Sequence, residues 1–215
     1  MGFADELTAR SHDRLLAIIE AGRGGDGSPE GGADAKALLQ VALVNEISVS
    51  ELAASWVGST KEVDVKLAFA RQAGDEAGHF QLVAERLRSL GFDVDSFVPP
   101  AANPLFQYMA TLATTVERVA AGLFALESIA YGVNENFIAY CRAHGDDETV
   151  RLYETIIQPE EREHQAIGRA LLDKYVTTSD ARERALATVD RVLEIAATTR
   201  AAAAGRLGVT CFPGC

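Results

Sequence analysis

Two stretches of the chain carry a glutamate followed three residues later by a histidine: Asp75-Glu76-Ala77-Gly78-His79 and Glu160-Glu161-Arg162-Glu163-His164. On an α-helix, positions i and i+3 lie about 60° apart around the axis and about 4.5 Å apart along it, so both side chains can reach one ion. Carboxylate oxygen with imidazole nitrogen suits iron or manganese. One Glu-x-x-His arises easily by chance on an acidic helix. Two copies about 85 residues apart, each with an acid just before the glutamate and each flanked by apolar residues, point to a metal site.

A two-metal centre between four helices requires one further glutamate from each of two other helices, all projecting inward. Glu127 has Leu123, Phe124 and Ala130 on its helical face, and Glu46 has Ala42, Leu43 and Val49. A charge pointing into such surroundings is costly unless a cation meets it. Glu51 competes with Glu46 but lies close to the turn at Gly58-Ser59, near the end of the bundle, so Glu46 is preferred. The predicted metal-binding and catalytic residues, in order, are Glu46, Glu76, His79, Glu127, Glu161 and His164. Four carboxylates balance two divalent cations, and two histidines complete a neutral buried site.

With this pattern the chain resembles the ferritin-like di-iron carboxylate superfamily over roughly Asp34 to Tyr175. The resemblance implies a ferritin-like four-helix bundle holding two iron ions, or manganese with iron, that activate O2 or peroxide. The duplicated set looks more like the di-iron oxygenases than like ferritins. Examples are the phenylacetyl-CoA epoxidase catalytic subunits, which Asp75-Glu76-Ala77-Gly78-His79 resembles, the aldehyde-deformylating oxygenases and the ribonucleotide reductase small subunit. No rubredoxin-like Cys-x-x-Cys pair is present, which weakens a rubrerythrin-type peroxidase reading. The expected function is that of an O2-dependent oxidoreductase acting on a small, mostly apolar organic substrate. An external electron donor is needed, because no flavin, nicotinamide or iron–sulfur motif is seen. The alternative is a ferroxidase or peroxide-scavenging, iron-handling protein with no organic substrate. A third reading, a tRNA hydroxylase, is opposed by the charge.

These residues need long helices to position them, and the expected fold is all-α. A short amphipathic helix, Phe3 to Ala21, and a Gly-rich linker make up residues 1–33 and read as an appendage. The bundle occupies 34–205 and a flexible tail 206–215. The first bundle helix runs from about Asp34 to Val57. The second opens on a Ser59/Glu62 capping box and stops at Leu90-Gly91. After a crossover carrying Pro99-Pro100, Asn103-Pro104 opens a third helix reaching His144-Gly145, with a bend expected near Gly122 or Thr114-Thr115. The fourth runs from about Asp146 to Val176, and Pro159 should kink it just before Glu161. Asp180 with Glu183 is read as capping a fifth helix, which packs outside the bundle along Leu186, Val189, Leu193 and Ala196.

Around the site, Asp75 is either an acceptor for a ligand histidine or a surface acid, and Glu160 is read as a surface acid. Tyr131 reads as a core tyrosine, His12 as a surface histidine, and Trp56 and the phenylalanines as packing. The small residues Ala42, Ala77, Gly78, Gly122, Ala125 and Ala130 either leave room beside the metals or simply allow close helix packing.

Composition bounds the rest. At 215 residues and 48% hydrophobic, the chain suits one domain with an ample core. A net charge of −11, still acidic after two divalent ions, argues against nucleic acid or an anionic membrane as the main partner. The N-terminus lacks a basic region followed by an apolar one, and no apolar run reaches about 18 residues, so a cytoplasmic protein is expected. A homodimer is left open. Cys141, Cys211 and Cys215 are too few and too badly spaced for a disulfide framework, and the last two read as idle thiols in a disordered terminus.

Overall fold

A computed structural model describes residues 2–23, 34–101 and 103–214. Among them there is no strand, and the expected all-α fold is observed. Most of the linker assigned to the Gly-rich stretch, residues 24–33, lies outside the described residues, as does Cys215.

Helix α1 (Phe3–Ala21) is not an appendage. Ala4 and Leu7 are fully buried in the main apolar cluster, and the Ala4 amide donates to Asp173 Oδ1 at 2.8 Å. Gly132 explains the close fit, since a Cβ there would stand 2.2 Å from Ile19 Cδ1.

Helix α2 (Ala35–Ser59) begins at Asp34, whose side chain accepts from the Ala37 amide, and runs antiparallel to α3 (Val63–Ser89). The expected Ser59/Glu62 capping box does not form. Ser59 is the last residue of α2 and its hydroxyl accepts from Arg118 Nη1 at 2.8 Å, while the Glu62 carboxylate is drawn away by the Thr115 hydroxyl at 2.6 Å. Gly91, at φ 76°, turns the chain out of α3 as expected.

The third predicted helix is broken. Asn103 caps α4 (Pro104–Ala110) as anticipated. The chain then restarts at Thr114, which forms a capping box with Glu117 and opens α5 (Thr115–Val119). A π-helical segment, Ala120–Leu126, joins α5 to α6 (Glu127–Ala143). The fourth is similar: Asp146 caps α7 (Asp147–Leu152), a second π-helical segment covers Tyr153–Ile157, and α8 (Gln158–Tyr175) carries Pro159 in its first turn. Helix α9 (Ser179–Leu207) lies against α1, α4, α5 and the first π segment. Its cap is Thr178, accepting from the Ala181 amide, not Asp180, which pairs instead with Arg184 at 2.8 Å. The C-terminal residues are not a loose tail, because Val209, Cys211 and Phe212 are buried and the Gly214 amide donates to Asn134 Oδ1.

Two apolar clusters divide the interior lengthwise. Leu38, Leu39 and Leu43 of α2 join Val83, Ala84 and Leu87 of α3 on one side. Val49, Leu52 and Trp56 join Val65 and Phe69 on the other. The polar residues between them on each helix form one layer across the middle of the molecule. Among the described residues, α2 is the one helix long and apolar enough to cross a membrane, and it reaches the apolar length expected to be missing. Half of that stretch is buried inside the protein and its centre carries Glu46.

Candidate metal centre

Each of four helices brings its share of the predicted set to the polar layer: Glu46 from α2, Glu76 and His79 from α3, Glu127 from α6, and Glu161 and His164 from α8. All six are buried, the four glutamates completely. They fall into two groups that could hold a metal ion. Glu46, Glu76, His79 and Glu161 offer ligand atoms within 4.8 Å of one another, and so do Glu76, Glu127, Glu161 and His164. Glu76 and Glu161 belong to both groups, whereas each remaining glutamate and histidine belongs to one. Glu51, the alternative to Glu46, is exposed.

Both histidines turn Nδ1 inward. His79 Nδ1 is 3.2 Å from Glu76 Oε2 and 3.5 Å from Glu46 Oε2. His164 Nδ1 is 3.4 Å from Glu76 Oε1 and 3.5 Å from Glu127 Oε1. The outer nitrogens are held crosswise: His79 Nε2 meets Glu160 Oε2 of α8 at 2.7 Å, and His164 Nε2 meets Asp75 Oδ2 of α3 at 3.0 Å. The expectation that Glu160 is a plain surface acid is therefore corrected, and Asp75 is resolved as a histidine partner. A carboxylate behind the ring fixes its orientation and its tautomer. Asp75 is braced in turn by Arg71, whose guanidinium also forks onto Glu163 with two 2.6 Å bonds.

The electrostatics are those of a site that holds protons in place of cations. Burial pushes Glu46 up to about 8. Burial, then the charges of Glu127 and Glu76, raise Glu161 well above the usual carboxyl range. Burial would raise Glu76 also, but the imidazoles of His164 and His79 beside it outweigh that and hold the carboxyl at about 2. Burial depresses both histidines, yet their glutamate neighbours win and lift each to about 11. Even so, both oxygens of Glu46, both of Glu161, one each of Glu76 and Glu127, and Nδ1 of His164 have no hydrogen-bond partner among the described residues. So many buried acceptors without donors in one layer is costly for a purely structural network. Divalent cations would satisfy them, and by this measure the residues fit a metal centre.

One buried neighbour escaped the sequence reading. Gln72, one helical turn before Glu76, donates Nε2 to Glu127 Oε1. Its spacing of four from Glu76 was the available signal. Tyr131 is neither a site residue nor a core residue, being half-buried and hydrogen-bonded through its hydroxyl to Arg162 at the surface. His12 is exposed, as expected. Of the small residues, Gly122 serves close packing and Gly78 does not. A Cβ on Gly122 would lie 2.9 Å from the Trp56 ring, while one on Gly78 would meet nothing within 4 Å.

Among known proteins, no curated sequence and no solved structure matches the chain. One family profile does match, over residues 37–199, an interval that includes all six buried glutamates and histidines. Because that match spans most of the chain, the protein belongs to the family described as "Protein of unknown function (DUF455)".

Proposed function

We propose that this protein is a non-haem di-iron, or manganese and iron, oxidoreductase in a ferritin-like bundle, which uses O2 and an external electron donor to oxidise a small, mostly apolar organic substrate. The observation that carries the reading is the sharing of Glu76 and Glu161 between two four-residue groups. Two carboxylates common to both groups would serve two ions at once, and paired ions are a recurring catalytic arrangement. Glu46 with His79 would complete one position and Glu127 with His164 the other. Two such ions would supply redox steps that no side chain here can perform.

The chain's own residues supply the setting. The two apolar clusters on either side keep the layer dry, which strengthens every charge interaction within it. Asp75 and Glu160 hold the imidazoles with Nδ1 inward and accept their outer protons, and Gln72 fixes one oxygen of Glu127.

A second reading, a ferroxidase or peroxide scavenger, is supported by a specific feature. A large apolar pocket is lined by Asn45 and Leu126, sequence neighbours of Glu46 and Glu127, but by none of the six buried glutamates and histidines themselves. Titrating the metal-free protein anaerobically with Fe(II), then admitting O2, separates the two. On the first reading oxidation saturates at about two irons per chain, and further turnover needs electrons from a donor. Continued rapid oxidation of excess Fe(II), with O2 uptake in proportion, would establish the ferroxidase instead.

A further inference from the structure

The apolar pocket has a volume of about 540 Å³, within the range of small-molecule sites. Its walls come from α2, the crossover before α4, the first turn of α4, the junction of the first π segment with α6, the last turns of α9 and the C-terminal residues. Val41, Val44, Leu126, Ile129 and Phe212 give it an oily interior. The chain has 31 acidic residues against 20 lysines and arginines, yet among the described residues the only charged ones lining this pocket are Arg200 and Arg206.

Neither arginine has a carboxylate within ion-pair distance among the described residues. Arg200 is partly buried, lies 4.1 Å over the Phe212 ring, and spends one N–H on the Phe212 carbonyl at 2.8 Å. Burial lowers its pKa to about 10, the mark of a cation short of counter-charge. A guanidinium has five N–H donors in a planar fork, so most of Arg200's capacity is unspent. An unpaired cation beside an apolar cavity is unfavourable until an anion arrives.

We propose that this pocket binds an amphipathic molecule with an apolar body and a single anionic head, the head held by Arg200 and Arg206 and the body lying along Val41, Val44, Leu126 and Ile129. The site stands on its own lining and does not depend on the metal centre. Occupancy would nevertheless press on residues adjoining Glu46 and Glu127.

The test is calorimetric titration of the full chain, metal-free and metal-loaded, with decanoate, decyl phosphate and uncharged 1-decanol. At least one of the two anions is expected to bind one per chain, and about tenfold or more tighter than the alcohol, as charge-assisted hydrogen bonds require. The stronger anion identifies the head as carboxylate or phosphate. Arg200→Met, which keeps an apolar contact to Phe212, should abolish that preference, and Arg206→Met on the exposed rim should reduce it. Circular dichroism and melting of both variants show whether they fold, and Arg206→Met alone suffices if Arg200→Met does not. Absence of binding by both anions overturns the inference. So does binding of the alcohol as tight as that of the anions, or an anion preference that survives in every folded variant.

Discussion

Glu76 and Glu161 are separable from the other four residues of the set by mutation, because each is common to both groups. Glu76→Ala or Glu161→Ala should therefore lower bound metal from about two ions per chain to almost none, whereas Glu46→Ala or Glu127→Ala should leave about one. Elemental analysis of the purified variants decides it, and equal losses from all four would contradict the shared arrangement. The acids behind the histidines act one step removed. Asp75→Asn and Glu160→Gln should retain the metals with about 10–100-fold weaker affinity, measured by competition with a chelator. Unchanged affinity in both would reduce these contacts to surface ion pairs. The six inner residues were legible in the sequence because helix geometry converts a spacing of three and a run of apolar neighbours directly into direction. Glu160 was not, since its role depends on how α8 lies against α3: its partner His79 is 81 positions away. Tyr131 was misjudged for the same reason, its hydroxyl being claimed by Arg162 on a neighbouring helix.

At the scale of helices, the two halves of the site, each a glutamate followed by a Glu-x-x-His, are built differently. Glu46, Glu76 and His79 sit on uninterrupted α-helices, but the segments leading to Glu127 and Glu161 are π-helical, Ala120–Leu126 and Tyr153–Ile157. A π turn re-aims the side chains that follow it, and such turns are frequent at functional sites. Gly122 and Pro159 signalled that something irregular occurs in each stretch, but a sequence cannot distinguish a bend from a π turn. The distinction lies in which carbonyl each amide finds, and tertiary packing decides that. Gly168 shows the packing at work: a Cβ there would stand 2.4 Å from the backbone oxygen of Leu123, inside the first π segment. Gly168→Ala should accordingly destabilise the fold by about 1–3 kcal/mol, as overpacking against an unyielding partner does. Gly78→Ala, in open space on α3, should instead leave stability unchanged or raise it by up to about 1 kcal/mol. Denaturant melts of the two variants compare them directly, and a Gly168→Ala protein as stable as wild type would mean that α8 does not press on the π segment. The capping errors at Ser59 and Asp180 have a similar origin, since Arg118 and Arg184 compete for side chains that local sequence alone would assign to helix ends.

For the whole molecule, the buried layer links folding to pH and to metal in opposite senses. His79 and His164, raised from about 6.5 to about 11, stabilise the metal-free fold fully below about pH 6.5, and that contribution is lost as pH rises through 11. Glu46, raised to about 8, adds to the loss between about pH 4.5 and 8, because ionising it inside the core costs more than ionising it in the unfolded chain. Glu76, held at about 2, works the other way, but only as pH falls below about 4.5, outside this window. Between pH 6 and 9, then, the melting temperature of the metal-free protein should fall. Metal binding needs ionised carboxylates and neutral imidazoles, so it expels the protons that the layer otherwise keeps, and its affinity grows as protons become scarce. The melting temperature gained on adding Fe(II) anaerobically, or Mn(II), should therefore widen steadily over the same range, with proton release visible in a weakly buffered titration. A gain that shrinks with rising pH, or none at any pH, would mean that the six residues fold around protons alone and that no cation belongs between them.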